Sequence, residues 1–268
     1  MFSIYTSLFR AIENKFDFAE ALENFCSFAE EVVVCVNTSQ DGTLDALSRW
    51  KSENQAVKLQ IIESDFSYDD PLMDGKIKNA SLQATKFPFK IGIDADERLC
   101  LRHKFKWEKA AMILEETPFE ALLIPSLDLY GDVRNIRWDS SHSKKFKWYL
   151  HKEGLFRGCF NPARLLNGKV DIARSDTCEL IDNQGDLVSF KQIDTNIKEL
   201  NLYTKWLEDT GLFVFHLGYA DLSRRAHINE NFWKKHWEVE SGQTNDIPTN
   251  EAQLFYPTYP HNLPLWDE

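Results

Sequence analysis

Two rhythms of apolar and polar positions alternate along the first hundred residues. Residues 2–6, F-S-I-Y-T, read as a short strand. Residues 17–29 place apolar side chains at 18, 21, 22, 25, 28 and 29. Steps of three and four fit a helix buried along one face, with Asp17 as its N-cap. The run V-V-V-C-V at 32–36 fits a strand covered on both faces, as in a parallel sheet. A turn-rich loop, T-S-Q-D-G-T, follows it. Helical spacing resumes at 43–50, a third strand is expected at 57–63, a helix at 75–86 and a fourth strand at 89–94. Strand–helix alternation with short connections predicts an α/β fold, a mostly parallel sheet with helices against it.

Beyond residue 100 the rhythm loosens. A helix is expected at 104–116, extended chain at 121–130, short strands at 148–150 and 155–157, and helices at 196–209 and 221–239. The tail from 243 to 268 is rich in Pro, Asn and Tyr and reads as irregular. Neither repeats nor a linker stand out. We expect one domain over 1–220, with halves of about 1–100 and 101–220, and a C-terminal helical and irregular extension over 221–268.

Charge narrows the partners. The 268 residues carry 31 Lys+Arg against 42 Asp+Glu, a net charge of −11. Such a balance disfavours nucleic acid and anionic membrane surfaces as principal partners, because both demand a cationic surplus. No stretch of about 18 apolar residues reads as a membrane span. The first residues lack a basic start followed by an apolar run, so no secretory leader is expected. Cys26, Cys35, Cys100, Cys159 and Cys178 are odd in number and lack a C-x-x-C pair, which reads as reduced thiols in a cytoplasmic protein.

Four short segments could carry chemistry. In I-G-I-D-A-D-E-R-L, 91–99, a strand end bears Asp94 and Asp96. If the extended geometry continues, both carboxylates point the same way and form a hard-oxygen site for Mg²⁺ or Mn²⁺; a solvated acidic turn is the plain alternative. In V-N-T-S-Q-D-G-T, 36–43, Asn37 and Asp41 offer hydrogen bonds to a base or ribose, or simply shape a turn. In M-D-G-K-I-K-N-A, 73–80, Lys76 opens a helix whose N-terminus favours a diphosphate, with Asn79 a turn further on. A solvated basic helix start would look the same. His216, in F-V-F-H-L-G-Y, is either a metal ligand or a hydrogen-bonded core residue.

Taken in this order, these segments resemble the family-2 glycosyltransferases of the GT-A fold. The matching pieces are S-I-Y-T-S-L-F-R, E-E-V-V-V-C-V-N-T-S-Q-D-G-T-L, the G-K-I-K-N-A helix, I-D-A-D-E-R-L and the late H-L-G-Y. They cover residues 1–100 and resume around 213–237, while 101–210 matches loosely. The resemblance implies transfer of a sugar from a nucleotide-sugar donor to an acceptor hydroxyl, with a divalent cation on the donor diphosphate. It puts the metal on Asp94, Asp96 and His216, and donor contacts on Thr6, Asn37, Asp41, Lys76, Asn79 and Asp94. A catalytic base lies well after the D-x-D in this family, which falls on Asp176, with Glu179 second. The family often has an acid where Val36-Asn37 stand, so base preference departs from the pattern. Trp138, Trp148 and Tyr149 could stack on a sugar or fill the core. The rival readings are a sugar nucleotidyltransferase, which would need a Gly-rich phosphate loop that residues 1–15 lack, and a non-catalytic carbohydrate-binding or assembly protein.

Overall fold

The computed structural model describes residues 1–37, 41–54, 58–66, 73–138, 145–157, 180–184, 186, 188–233 and 258–267. The first half alternates as its pattern predicts: β1 (Phe2–Leu8), α1 (Phe18–Phe28), β2 (Glu31–Asn37), α2 (Thr43–Glu53), β3 (Leu59–Ser64), α3 (Met73–Gln83) and β4 (Phe89–Gly92). Asp17 caps α1, its side chain accepting from Glu20 N. All seven residues of β2 are buried, which is why that segment reads as an unbroken apolar run.

Side-chain alternation along β2 assigns the helices to faces. Val32, Val34 and Val36 share a core with Leu22, Phe25 and Phe28 of α1 and Leu47 and Trp50 of α2. Cys35 points the other way, onto Met73 and Ile77 of α3. Each fully buried Leu or Phe on these helix faces contributes roughly 1.5–3 kcal/mol, so tertiary burial rather than helix propensity holds α1 in place.

The second half comprises β5 (Glu97–Leu99), α4 (Lys104–Glu115), β6 (Ala121–Tyr130), β7 (Asn135–Arg137), β8 (Lys145–Lys152), β9 (Phe156–Arg157), β10 (Leu180–Ile181), β11 (Phe190–Gln192), α5 (Leu200–Thr210), β12 (Val214–Tyr219), α6 (Leu222–Ile228) and β13 (Thr258–Pro260). Trp107 of α4 packs edge-on against Phe28 at 5.7 Å, so α4 joins the α1 side of the sheet.

The sheet runs β13-β7-β6-β8-β4-β1-β2-β3. From β4 to β3 all pairings are parallel. Strand β8 enters antiparallel between β4 and β6. Strands β11 and β12 run parallel to successive stretches of β6. The result is the expected α/β architecture, a mostly parallel sheet flanked by helices.

Three differences from the sequence expectation stand out. Strand β4 ends at Gly92 rather than at 94, and Asp94 begins a turn in which Glu97 N donates to Asp94 O at 3.0 Å. Strand β5 then pairs antiparallel with β12, setting Glu97 opposite His216. The late helix also changes character within its described part. After α6 a π-helical turn covers Asn229–Trp233, and 234–239 lie outside the described residues. The end of the chain is not wholly irregular: β13 pairs with β7, and Leu263 and Trp266 share a core with Phe213 and Phe215.

No helix among the described residues is long and apolar enough to cross a membrane.

Candidate functional site

The turn at 93–97 lies at the carboxyl end of β4, where ligands collect in open α/β sheets. Its shape is held by a buried carboxylate. Glu97 is fully buried. Its Oε2 accepts from Asp94 N at 2.9 Å, and its Oε1 accepts from Lys147 Nζ at 2.5 Å and Tyr149 OH at 2.6 Å. Arg98, also buried, donates to the carbonyls of Ala95 and Glu97 and to Glu20 Oε2 at 3.0 Å. The turn is thereby tied to β8 through Glu97 and to α1 through Arg98 and Glu20.

Within this frame the two aspartates face different partners. Asp94 Oδ1 meets Lys78 Nζ of α3 at 3.2 Å, and Oδ2 meets Lys147 Nζ of β8 at 3.1 Å. Burial works against its ionisation, but Lys78 and Lys147 outweigh it and hold the carboxyl far below the usual range. Asp96 Oδ2 lies 3.5 Å from His216 Nε2. Burial again opposes ionisation, and the neighbouring His216 overrides it.

His216 sits on β12, 16% exposed, with Nδ1 2.7 Å from Asp128 Oδ1 on β6. Burial alone would favour neutral imidazole; Asp96 and then Asp128 instead raise its pKa. Gly218, two residues along the same strand, makes the ring's position possible. A Cβ there would stand 2.6 Å from His216 Nε2 and 3.1 Å from Asp96 Oδ2.

Asp94, Asp96 and His216 line one open cavity of about 280 Å³ with Lys78, Lys147 and Arg225. The loop between β1 and α1 forms another wall through Phe9, Asn14 and Phe16. Helix α6 leans on that loop, with the Arg224 guanidinium 5.3 Å above the Phe16 ring and His227 Nε2 2.9 Å from Glu13 O. A smaller recess adjoins, lined by Tyr5, Thr6, Lys78, Asp94, Lys147 and Arg157. Gly92 leaves room for it; a Cβ there would clash with Arg157 Nη2 and with Tyr5 OH. Arg157 Nε donates to Tyr5 OH at 2.6 Å, and that hydroxyl is 3.0 Å from His151 Nε2.

Among the described residues no group of three or more His, Cys, Asp or Glu side chains is gathered to hold a metal by itself. The pair Asp96–His216 nevertheless has the spacing of two ligands sharing one ion, roughly 3.0–3.5 Å for bonds near 2.1 Å. The bare backbone of Gly218 is what lets both donor atoms approach there. Both oxygens of Asp94 are engaged by lysines, so Asp94 suits charge balance better than ligation.

The other residues singled out from the sequence scatter. Thr6 is buried, and its hydroxyl has no hydrogen-bond partner among the described residues while lining the small recess. Asn37 Nδ2 donates to Phe66 O at 2.9 Å. Asp41 accepts from Glu13 N, Thr43 N and Thr43 Oγ1, and so pins the β1–α1 loop to the start of α2. Asn79 exchanges hydrogen bonds with both backbone groups of Arg157, at 2.7 and 2.8 Å. Lys78, and not Lys76, stands in the cavity lining. Trp138 packs on Tyr203 at 5.0 Å and Tyr149 is buried. Asp176 and Glu179, and the Trp148 side chain, lie outside what the structure describes.

No protein-family model matches this chain, and no curated protein does. Solved structures are similar over part of their length. S. aureus TarS 1-349 is 17% identical, with 56% of this chain and 46% of that chain covered at a TM-score of 0.37. Its complex with UDP-GlcNAc gives 22% identity, 48% and 35% coverage and a TM-score of 0.36. The mannosyltransferase PcManGT from Pyrobaculum calidifontis, in complex with GDP-Man and Mn²⁺, gives 19% identity, 45% and 34% coverage and a TM-score of 0.37. The chain thus spans less than half the length of each.

Lys78, Lys147, Glu97, Asp128, Gly218 and Arg225 are the site residues that sequence reasoning passed over. Two carried a signal. Asp128 is a lone acid in the otherwise apolar strand L-D-L-Y, and a buried charge requires a partner. Gly218 lies inside a strand pattern, where glycine marks a close approach.

Proposed function

We propose that this chain is a glycosyltransferase of the GT-A type that moves a sugar from a nucleoside-diphosphate-sugar donor to an acceptor hydroxyl. The observation that carries the reading is the meeting of Asp96 and His216, distant in sequence, at one cavity wall beside Asp94, Lys78 and Lys147. Asp96 and His216 would hold Mn²⁺ or Mg²⁺, and the remaining ligand positions fall to donor oxygens. Such an ion offsets the negative charge that builds on a departing diphosphate.

The protein's own groups supply the rest. Lys78, Lys147 and Arg225 present cations to the same cavity and attract the phosphates, while Asp94 keeps the two lysines in place. The Thr6 hydroxyl offers a donor and an acceptor from the floor of the adjoining recess. An acceptor hydroxyl needs a base to take its proton, and Asp176, then Glu179, remain our candidates. We keep the cytoplasmic assignment on the sequence pattern, five cysteines odd in number and without a C-x-x-C pair.

The test is thermal unfolding with UDP, GDP and their sugar conjugates, each with and without Mn²⁺. A ligand at a hundredfold its Kd adds about 2.7 kcal/mol, or roughly 5 °C for a chain of this size. We expect a Mn²⁺-dependent rise with at least one nucleotide, lost in Asp96→Ala. Identical curves for all mixtures would refute the proposal.

A further inference from the structure

We propose that Asp128 is a positioning residue that turns the Nε2 edge of His216 toward the cation. The inference rests on the metal reading above and adds to it a group that holds the ligand without touching the ion.

Strands β6 and β12 are parallel neighbours, and their register sets Asp128 directly opposite His216. Residues paired in this way project from the same face of a sheet. Asp128 Oδ1 reaches His216 Nδ1 at 2.7 Å. An ionised carboxylate only accepts, so Nδ1 keeps its proton toward Asp128, and a cation beside Asp96 would take the place of the proton on Nε2. That nitrogen is the one 3.5 Å from Asp96 Oδ2.

Both ends of the contact are confined. Asp128 is 6% exposed, and Arg137 Nη1 stands 3.8 Å from its second oxygen. The His216 ring lies over the bare backbone of Gly218 and meets the Tyr219 ring edge-on at 5.9 Å. A ring flip would exchange Nδ1 and Cδ2, breaking the bond to Asp128 and aiming carbon at the ion. A carboxylate behind the imidazole also raises its basicity as a ligand, and loss of such partners lowers metal affinity about 10–100-fold.

The experiment titrates Mn²⁺ into wild type, Asp128→Ala, Asp128→Asn and His216→Ala, with UDP or GDP saturating, and follows free Mn²⁺ by electron paramagnetic resonance. Nucleotide affinity without metal and the unfolding temperature are measured alongside. We expect Asp128→Ala to weaken Mn²⁺ binding by about tenfold or more, with metal-free nucleotide affinity unchanged. Asp128→Asn, which keeps the shape and an acceptor oxygen, should lose less, and it serves in place of the alanine variant if that variant fails to fold. Wild-type Mn²⁺ affinity in both variants would overturn the inference. So would a loss matched by an equal loss of metal-free nucleotide binding, which marks a purely structural ion pair. Wild type that binds no more Mn²⁺ than His216→Ala would sink the metal reading itself, and the inference with it.

Discussion

Glu97→Gln is the sharpest perturbation the site allows, because it changes charge and leaves shape alone. Glu97 receives hydrogen bonds from three donors: Asp94 N on one oxygen, and Lys147 Nζ and Tyr149 OH on the other. A glutamine has one acceptor oxygen and one NH₂ group. In either amide orientation the NH₂ faces a donor, and neither the ammonium of Lys147 nor the amide of Asp94 can turn round to accept. Removing one partner of a buried ion pair costs about 3–5 kcal/mol. Lys147 keeps Asp94 at 3.1 Å and is 21% exposed, so the low end, about 3 kcal/mol, is expected. That is a large share of a typical total of about 5–15 kcal/mol. Urea unfolding monitored by tryptophan fluorescence reads the loss as a lower midpoint at unchanged slope. Adding Lys147→Met to Glu97→Gln should recover part of the loss, since the ammonium facing the amide goes with it and Asp94 keeps Lys78. A Glu97→Gln protein within about 1 kcal/mol of wild type would show that the latch on the 94–97 turn is not what holds it.

Two further expectations address packing and pH. Gly218→Ala puts a Cβ 2.6 Å from His216 Nε2 and forces the ring off its Asp128 bond or the strand outward. Crowding of this kind costs about 1–3 kcal/mol, against roughly 0.4–1 kcal/mol regained from a stiffer unfolded chain. The variant should unfold earlier and bind Mn²⁺ more weakly, and equal values on both counts would contradict the close contact. Burial first, and Arg157 next, depress His151 to about 3 from an ordinary value of 6.5. Below pH 6.5 the unfolded chain therefore takes up a proton that the folded protein refuses, and stability falls as pH drops toward 3. Between pH 7 and 5 this amounts to about 2 kcal/mol. Denaturant unfolding at pH 7 and pH 5 should show a shallower pH loss in His151→Gln than in wild type, and parallel losses would exclude His151 as a source.

Much of the frame was legible before any coordinates. The buried strand at 32–36, the one-faced helix after Asp17 and the polar strand end at 94–96 all follow from local spacing, and the structure keeps them with boundaries moved by a few residues. The error at Asp94–Asp96 is instructive. An extended continuation would have aligned both carboxylates, but Glu97 folds the backbone into a turn by reaching across to β8, which no local pattern announces. Lys76 and Lys78 show a second limit. Two residues apart on a helix are about 200° apart around it, so one can face the site and the other cannot. Which of them does so depends on how α3 rotates on β1 and β2, and Met73 and Ile77 against Cys35 decide that.

Sequence alone therefore determined the kinds and order of the elements over the first hundred residues, the face α1 buries and a short roster of acids, lysines and one histidine able to do chemistry. Backbone periodicity acts within a few residues, and that reach suffices for such properties. Tertiary structure decided which members of the roster meet: His216 beside Asp96 and Asp128, Lys78 and Lys147 on Asp94, Glu97 beneath the turn. Those meetings depend on strand register and helix rotation, which are chosen by packing among segments far apart in the chain.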